Sequence, residues 1–176
     1  MVTVMNRLQD WDEWLLLKIN LLCRSKAIKN TFCSITKLGD GWFFAVIVFS
    51  LLALDFSKYL TLALSTTLTF IIELPIYWQL KNRIKRNRPP QKILGFKSEI
   101  FPPDKFSFPS GHTCSSFLVW AQLNLFAPTL APYMLVIACL VGLSRVILGV
   151  HFLGDVVAGA CLGTAFSYAV ALTFFI

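Results

Sequence analysis

Charge is scarce in this sequence: Asp, Glu, Lys and Arg make up 14% of its 176 residues, against roughly 25% in an ordinary soluble domain. Hydrophobic residues supply 56% and fall in long blocks, a composition that excludes a water-soluble globule and fits a chain solvated by lipid. Histidine is scarcer still, with only His112 and His151, too few for an imidazole-rich metal centre. The five cysteines (Cys23, Cys33, Cys114, Cys139, Cys161) are odd in number, scattered and without C-x-x-C spacing. Neither a disulfide framework nor a zinc site follows from them, and they read as buried apolar thiols. No metal or other cofactor is therefore expected, and no nucleic-acid partner is indicated. Repeats of fixed period and low-complexity tracts are also missing, which sets aside arrays and linkers. The first ten residues lack an apolar core followed by a small-residue cleavage site, so insertion is expected to rely on internal spans.

What is present is a set of uncharged stretches. A helix crossing the hydrocarbon core needs about 20 apolar residues. Residues 42–54 form a short apolar run that can borrow the turn Gly39-Asp40-Gly41, and residues 59–80 form a full-length one. Residues 106–144 carry no acid, Lys or Arg and are too long for one helix; the break at 127–132, with Pro128 and Pro132, makes them a hairpin. Residues 156–176 complete the set. The expected fold is all-α, an integral membrane helical bundle of about five transmembrane helices in one domain, 1–176. Residues 1–38 form an amphipathic N-terminal segment and 39–176 the catalytic core. Within the former, 10–37 mixes Trp11, Trp14, Leu15, Leu17, Leu21 and Leu22 with Lys18, Arg24, Lys26 and Lys29, the mixture of an interfacial helix rather than a sixth span. Because each short turn reverses the chain, the loop 81–105, the start of the third span and the connection 145–155 fall on one face. The turns 55–58 and 127–132 and the C-terminus fall on the other.

Three polar clusters share the first face. Lys81-Asn82-Arg83-Ile84-Lys85-Arg86-Asn87-Arg88-Pro89 reads as a headgroup-binding basic run or, through Lys81 and Arg88, as a phosphate clamp. Pro109-Ser110-Gly111-His112 reads as a helix cap, or as an anion site in which the helix start offers free N–H groups and Gly allows close backbone approach. In Ser144 to Asp155, Arg145, His151 and Asp155 interrupt apolar sequence, and ionisable groups at membrane depth are costly enough to suggest function. If His151 begins the last helix, Asp155 lies one turn on, where its carboxylate bonds one ring nitrogen and leaves the other free to attack. The bland alternative is a stabilising His–Asp pair. Two histidines, an orienting carboxylate, three cations and a helix N-terminus suit phosphoryl transfer, with one histidine attacking phosphorus and the other protonating the departing oxygen. The residues alone do not choose which.

The ordered patterns K-x6-R-P (81–89), P-S-G-H (109–112) and S-R-x5-H-x3-D (144–155) resemble the three signatures of the type 2 phosphatidic acid phosphatase superfamily of membrane lipid phosphatases. The likeness covers 39–176. It implies a helical bundle and a metal-independent lipid phosphatase, a phosphoric monoester or diphosphate hydrolase, acting through a phosphohistidine. It also implies that His151 is the nucleophile, Asp155 its orienting partner and His112 the general acid, with Lys81, Arg88, Ser110, Gly111 and Arg145 on the phosphate. The partners implied are the bilayer and a lipid phosphate: undecaprenyl pyrophosphate first, with phosphatidylglycerophosphate, phosphatidic acid or a lipid A phosphate as alternatives. A non-catalytic lipid-binding or transport protein would need the cations but not an oriented nucleophile. Vanadium haloperoxidases share the phosphate signatures but are soluble. The resemblance places the site at the periplasmic face of a bacterial inner membrane. Lys58, the one Lys or Arg on the opposite face, points by the positive-inside rule to the cytoplasmic face. Glu73 is expected to bond a neighbour inside the second span, and Phe96, Phe101, Phe106 and Phe108 to anchor the long loop at the interface or to guide lipid chains.

Overall fold

The computed structural model describes residues 2–102 and 104–176. It is all helical: α1 (Val2–Asn20), α2 (Lys26–Thr36), α3 (Gly41–Leu54), α4 (Phe56–Ile84), the single turn α5 (Pro89–Lys92), α6 (Gly111–Phe126), α7 (Ala131–Ile147) and α8 (Leu153–Phe174). Among the described residues the β-type pairing is one isolated antiparallel bridge, Asn87 with Phe106. Helices α3, α4, α6, α7 and α8 occupy the five apolar stretches. By length and apolarity, α4 and α8 qualify as membrane crossings, and α2 with α3 qualify together as a pair bent by 58°. At 14 residues α3 alone reaches only about 21 Å, so it depends on its N-terminal neighbour.

Local chemistry sets the boundaries. Asp55 caps α4 by accepting the Lys58 backbone N–H at 3.0 Å, and Lys85 ends the helix in the left-handed conformation (φ 51°). Pro75 lies inside α4 without ending it. The N-terminal segment differs from the single amphipathic helix expected. A short 3-10 turn, Leu21–Arg24, divides it, and the extended Ser25 starts α2. Asn20 Nδ2 and Cys23 Sγ both bond the Ile147 carbonyl, at 2.8 and 3.3 Å, which ties this corner to the end of α7.

The tightest helix pair is α6 with α8. Gly159 and Gly163 lie one turn apart on α8, and a Cβ on either would strike the Ser110 or Cys114 carbonyl, the small-residue packing that membrane helices use to bring backbones together. Polar groups extend this seam: Ser167 Oγ donates to the Leu118 carbonyl at 2.8 Å, and Gln122 Nε2 to Thr69 Oγ1 at 2.9 Å. Glu73 is buried and accepts from Cys114 Sγ at 3.0 Å, the neighbour bond expected of it. Phe44, Leu62, Leu118, Val119, Leu123 and Met134 form the apolar core toward the other end. In the long loop, Phe101 is fully exposed, whereas Phe96 packs against Gly149, where φ is 75° and a Cβ would stand 2.7 Å from the ring. Phe96 therefore has a packing role.

Candidate active site

The loop before α6, the start of α6, the end of α7 and the start of α8 meet at one end of the bundle. The Ser110 N–H donates to the Asp155 carbonyl at 3.0 Å, and the Val150 and His151 N–H groups donate to the Arg145 carbonyl at 3.1 and 3.2 Å. Arg88 Nη1 donates to the Val150 carbonyl at 2.7 Å and lies 3.2 Å from His151 Nε2. The three sequence patterns are thus joined by direct hydrogen bonds. Lys81, Arg88, Ser110, Arg145, His151 and Asp155 are all buried.

His151 is not the first residue of a helix. It lies in the connection before α8, which Phe152 caps in extended conformation (φ −77°, ψ 160°). Asp155 occupies the third position of the first turn, and its Oδ2 accepts the Phe152 N–H at 2.9 Å, the carboxylate half of a capping box. That places Oδ2 3.6 Å from His151 Nδ1, beyond a direct hydrogen bond, and Nδ1 has no other partner among the described residues. The carboxylate therefore faces the ring through space in this resting geometry. A guanidinium can only donate, so the Arg88 contact identifies Nε2 as the unprotonated nitrogen and leaves the proton on Nδ1, toward Asp155. Burial, with Arg145 and Arg88 nearby, pushes the imidazole down from 6.5 to about 3 against the opposing pull of Asp155. The shift favours the neutral imidazole with its lone pair on Nε2, the form a nucleophile requires.

Residues 58–175, most of the chain and all three patterns, match the family model described as the PAP2 superfamily. Phosphatidylglycerophosphatase B of Bacillus subtilis (strain 168) is 32% identical over 170 residues, covering 90% of this chain and 80% of that protein. The chain belongs to the PAP2 superfamily. The crystal structure of a transmembrane PAP2-type phosphatidylglycerolphosphate phosphatase from Bacillus subtilis superposes with a TM-score of 0.78 at 30% identity, covering 96% of this chain and 86% of that one. That of Aquifex aeolicus LpxE gives 0.73 at 25% identity over 91% and 93%.

The PAP2 site also contains groups that the three patterns do not name. Asp104 spans two of the buried cations: Oδ2 takes Lys81 Nζ at 2.7 Å, and Oδ1 pairs with Arg88 Nη2. Burial would raise its carboxyl, but Lys81 and Arg88 hold it below the ordinary value. Arg86, an unassigned member of the basic run, bonds Asp155 Oδ1 and Asp12 Oδ2, both at 2.7 Å. Asp12 also accepts the Gly154 N–H at 3.0 Å, so α1 is fastened to the start of α8. Tyr77 lies over the start of α6, where a Cβ on Gly111 would be 2.7 Å from its hydroxyl, and its ring faces Lys81 Nζ at 4.8 Å. Arg145 Nη1 donates to Thr36 Oγ1 at 2.5 Å, while its buried Nε has no partner among the described residues. His112 is the more open histidine and contacts Asp40 at 3.0 Å.

Proposed function

We propose that this protein hydrolyses a phosphate monoester on a membrane lipid, with His151 forming a phosphohistidine. The observation that carries the reading is the buried His151 ring, whose Nε2 faces Arg88 beside a set of buried cations. Lys81, Arg88 and Arg145, with Ser110 and the Gly111 N–H, take the phosphate oxygens, and their positive charge meets the charge that builds on them in transfer. Nε2 attacks phosphorus in line, the ester P–O bond breaks toward the departing oxygen, and His112 supplies its proton. Water then attacks the phosphohistidine with His112 accepting a proton, and inorganic phosphate leaves. Asp155 steadies the Nδ1 proton as the ring gains positive character.

The lipid part of the reading rests on a groove of about 560 Å³ between α3 and α4, lined by Phe44, Val48, Phe70, Ile71 and Leu74. It runs to Gly41 and Ser115, beside Asp40 and one turn from His112, so a hydrocarbon chain lying there delivers its headgroup to the site. Likeness over most of both chains to a phosphatidylglycerophosphatase favours phosphatidylglycerophosphate. Undecaprenyl pyrophosphate is the second reading, favoured by Lys37, which lines the same cavity as His112 and Arg145 and suits a second phosphate. The site faces the periplasm in this reading. A phosphate-release panel over phosphatidylglycerophosphate, undecaprenyl pyrophosphate, phosphatidic acid and lipid A in micelles tests it. Trapping of ³²P on wild type but not on His151→Ala tests the intermediate. Turnover in that variant at the wild-type rate would sink the nucleophile.

A further inference from the structure

Asp40 occupies the N-cap of α3 in extended conformation (φ −76°, ψ 143°). An Asp there ordinarily accepts a backbone N–H of the first turn, yet its side chain makes no capping bond. Oδ1 instead lies 3.0 Å from His112 Nε2. The backbone before it is shaped for this contact. A Cβ on Gly39 would stand 2.9 Å from His112 Cδ2 and 2.7 Å from Val141 Cγ1, so a residue without a side chain lets the turn lie against the imidazole. A carboxylate that forgoes its cap and a glycine that admits the ring are separate features with the same effect. Asp40, His112 and Arg145 then line a cavity of about 310 Å³.

A histidine that protonates a departing oxygen must hold a proton in advance and present the correct nitrogen. Burial and Arg145 in the same cavity push His112 down from 6.5 to about 4, and the Asp40 carboxylate pulls the other way. By accepting from Nε2, Asp40 also fixes that nitrogen as proton-bearing and leaves Nδ1 for exchange. We infer that Asp40 is a positioning residue for leaving-group departure, orienting His112 and favouring its protonated form so that the lipid leaves as an alcohol. The inference rests on the reading of His112 as the acid. In that step the bond from His151 Nε2 to phosphorus forms, the P–O electron pair passes to the leaving oxygen, and that oxygen takes the His112 proton. His112 regains a proton from the water that hydrolyses the phosphohistidine.

The test compares kcat/KM in micelles for an alkyl phosphate and for a nitrophenyl phosphate bearing the same alkyl chain, since nitrophenolate departs without a proton. Asp40→Asn is expected to lower the alkyl value by roughly 10- to 100-fold and to leave the nitrophenyl value unchanged, with Asp40→Glu recovering part of the loss. His112→Ala should show the same selectivity more strongly. Equal losses on both substrates in Asp40→Asn, or none on either, alongside a selective His112→Ala, would overturn the role of Asp40 and leave His112 as the acid. A non-selective His112→Ala would overturn the acid reading itself. Asp40→Ser serves the same comparison if the Asn variant does not fold.

Discussion

In the proposed reaction a phosphate takes contacts that Asp104 occupies in the resting protein. Its carboxylate bonds Lys81 Nζ at 2.7 Å and pairs with Arg88, whose Nε also donates to the Asp104 carbonyl at 3.0 Å. A phosphate dianion engaging the same cations has to displace the carboxylate. Asp104→Asn keeps the backbone contact and the shape but removes the charge. Each charge-assisted bond contributes about 1.5–3 kcal/mol, and the amide oxygen retains a weaker version of one of them. The resident competitor therefore weakens by about the lower end of that range, and anion affinity rises roughly tenfold. Vanadate and inorganic phosphate inhibition constants read this directly, and both should tighten. The variant should also melt earlier in the absence of anion, because Lys81, at 1% exposure, loses its counterion; vanadate should restore much of the difference. Inhibition constants that stay level or weaken would refute the competition and make Asp104 a supporting member of the clamp.

His151→Gln should abolish turnover, by roughly 10⁴-fold or more, in protein that remains folded by circular dichroism. The same substitution probes stability against pH. Because His151 sits at about 3 in the folded chain against 6.5, the unfolded chain binds the extra proton between those values. Stability is complete above 6.5 and falls as pH drops through the window, by up to about 1.4 kcal/mol per pH unit; melting curves of His151→Gln should be flatter there. Gly163→Ala places a methyl against the Cys114 carbonyl and should cost about 1–3 kcal/mol, seen as a lower melting temperature with activity falling in parallel. Chelators should leave phosphate release unchanged while vanadate blocks it, and strict dependence on Mg²⁺ would count against the proposed chemistry.

The helices were legible because the bilayer imposes a coarse rule: 106–144 without charge, broken at Pro128 and Pro132, could only be a hairpin, and α6 and α7 follow it. The site patterns were legible because Lys81, Arg88, His112, Arg145, His151 and Asp155 are ionisable groups where apolar sequence is the norm. Less visible were partners whose meaning depends on where the loop returns. Asp40 looks like a turn residue until Gly39 is seen against the His112 ring. Asp104 is an ordinary loop acid until the fold lays it across Lys81 and Arg88, 23 and 16 positions away. Arg86 belongs to a basic run in which any member could have faced the bilayer surface. The capping role of Asp155 was also hidden, since helical spacing predicts a direct bond to His151 and the cap geometry delivers 3.6 Å instead.

The distribution of charge explains why these additions matter. Four cations, Lys81, Arg86, Arg88 and Arg145, stand near four carboxylates, Asp12, Asp40, Asp104 and Asp155. Buried charge is tolerable only when paired, so the resting protein satisfies this clamp with its own acids. Asp12 and Asp155 are fixed on α1 and α8 and share Arg86, and Asp40 is committed to His112. Of the four, Asp104 alone lies on the long loop between α5 and α6 and alone bridges two of these cations. Arg145 pairs with a hydroxyl, and its buried Nε has no partner among the described residues. In the proposed reaction an incoming phosphate thus finds one cation without an acid partner among the described residues and one carboxylate mounted where it can yield. Arg86, already shared by two fixed acids, stays out of the exchange and holds Asp155 in place behind His151.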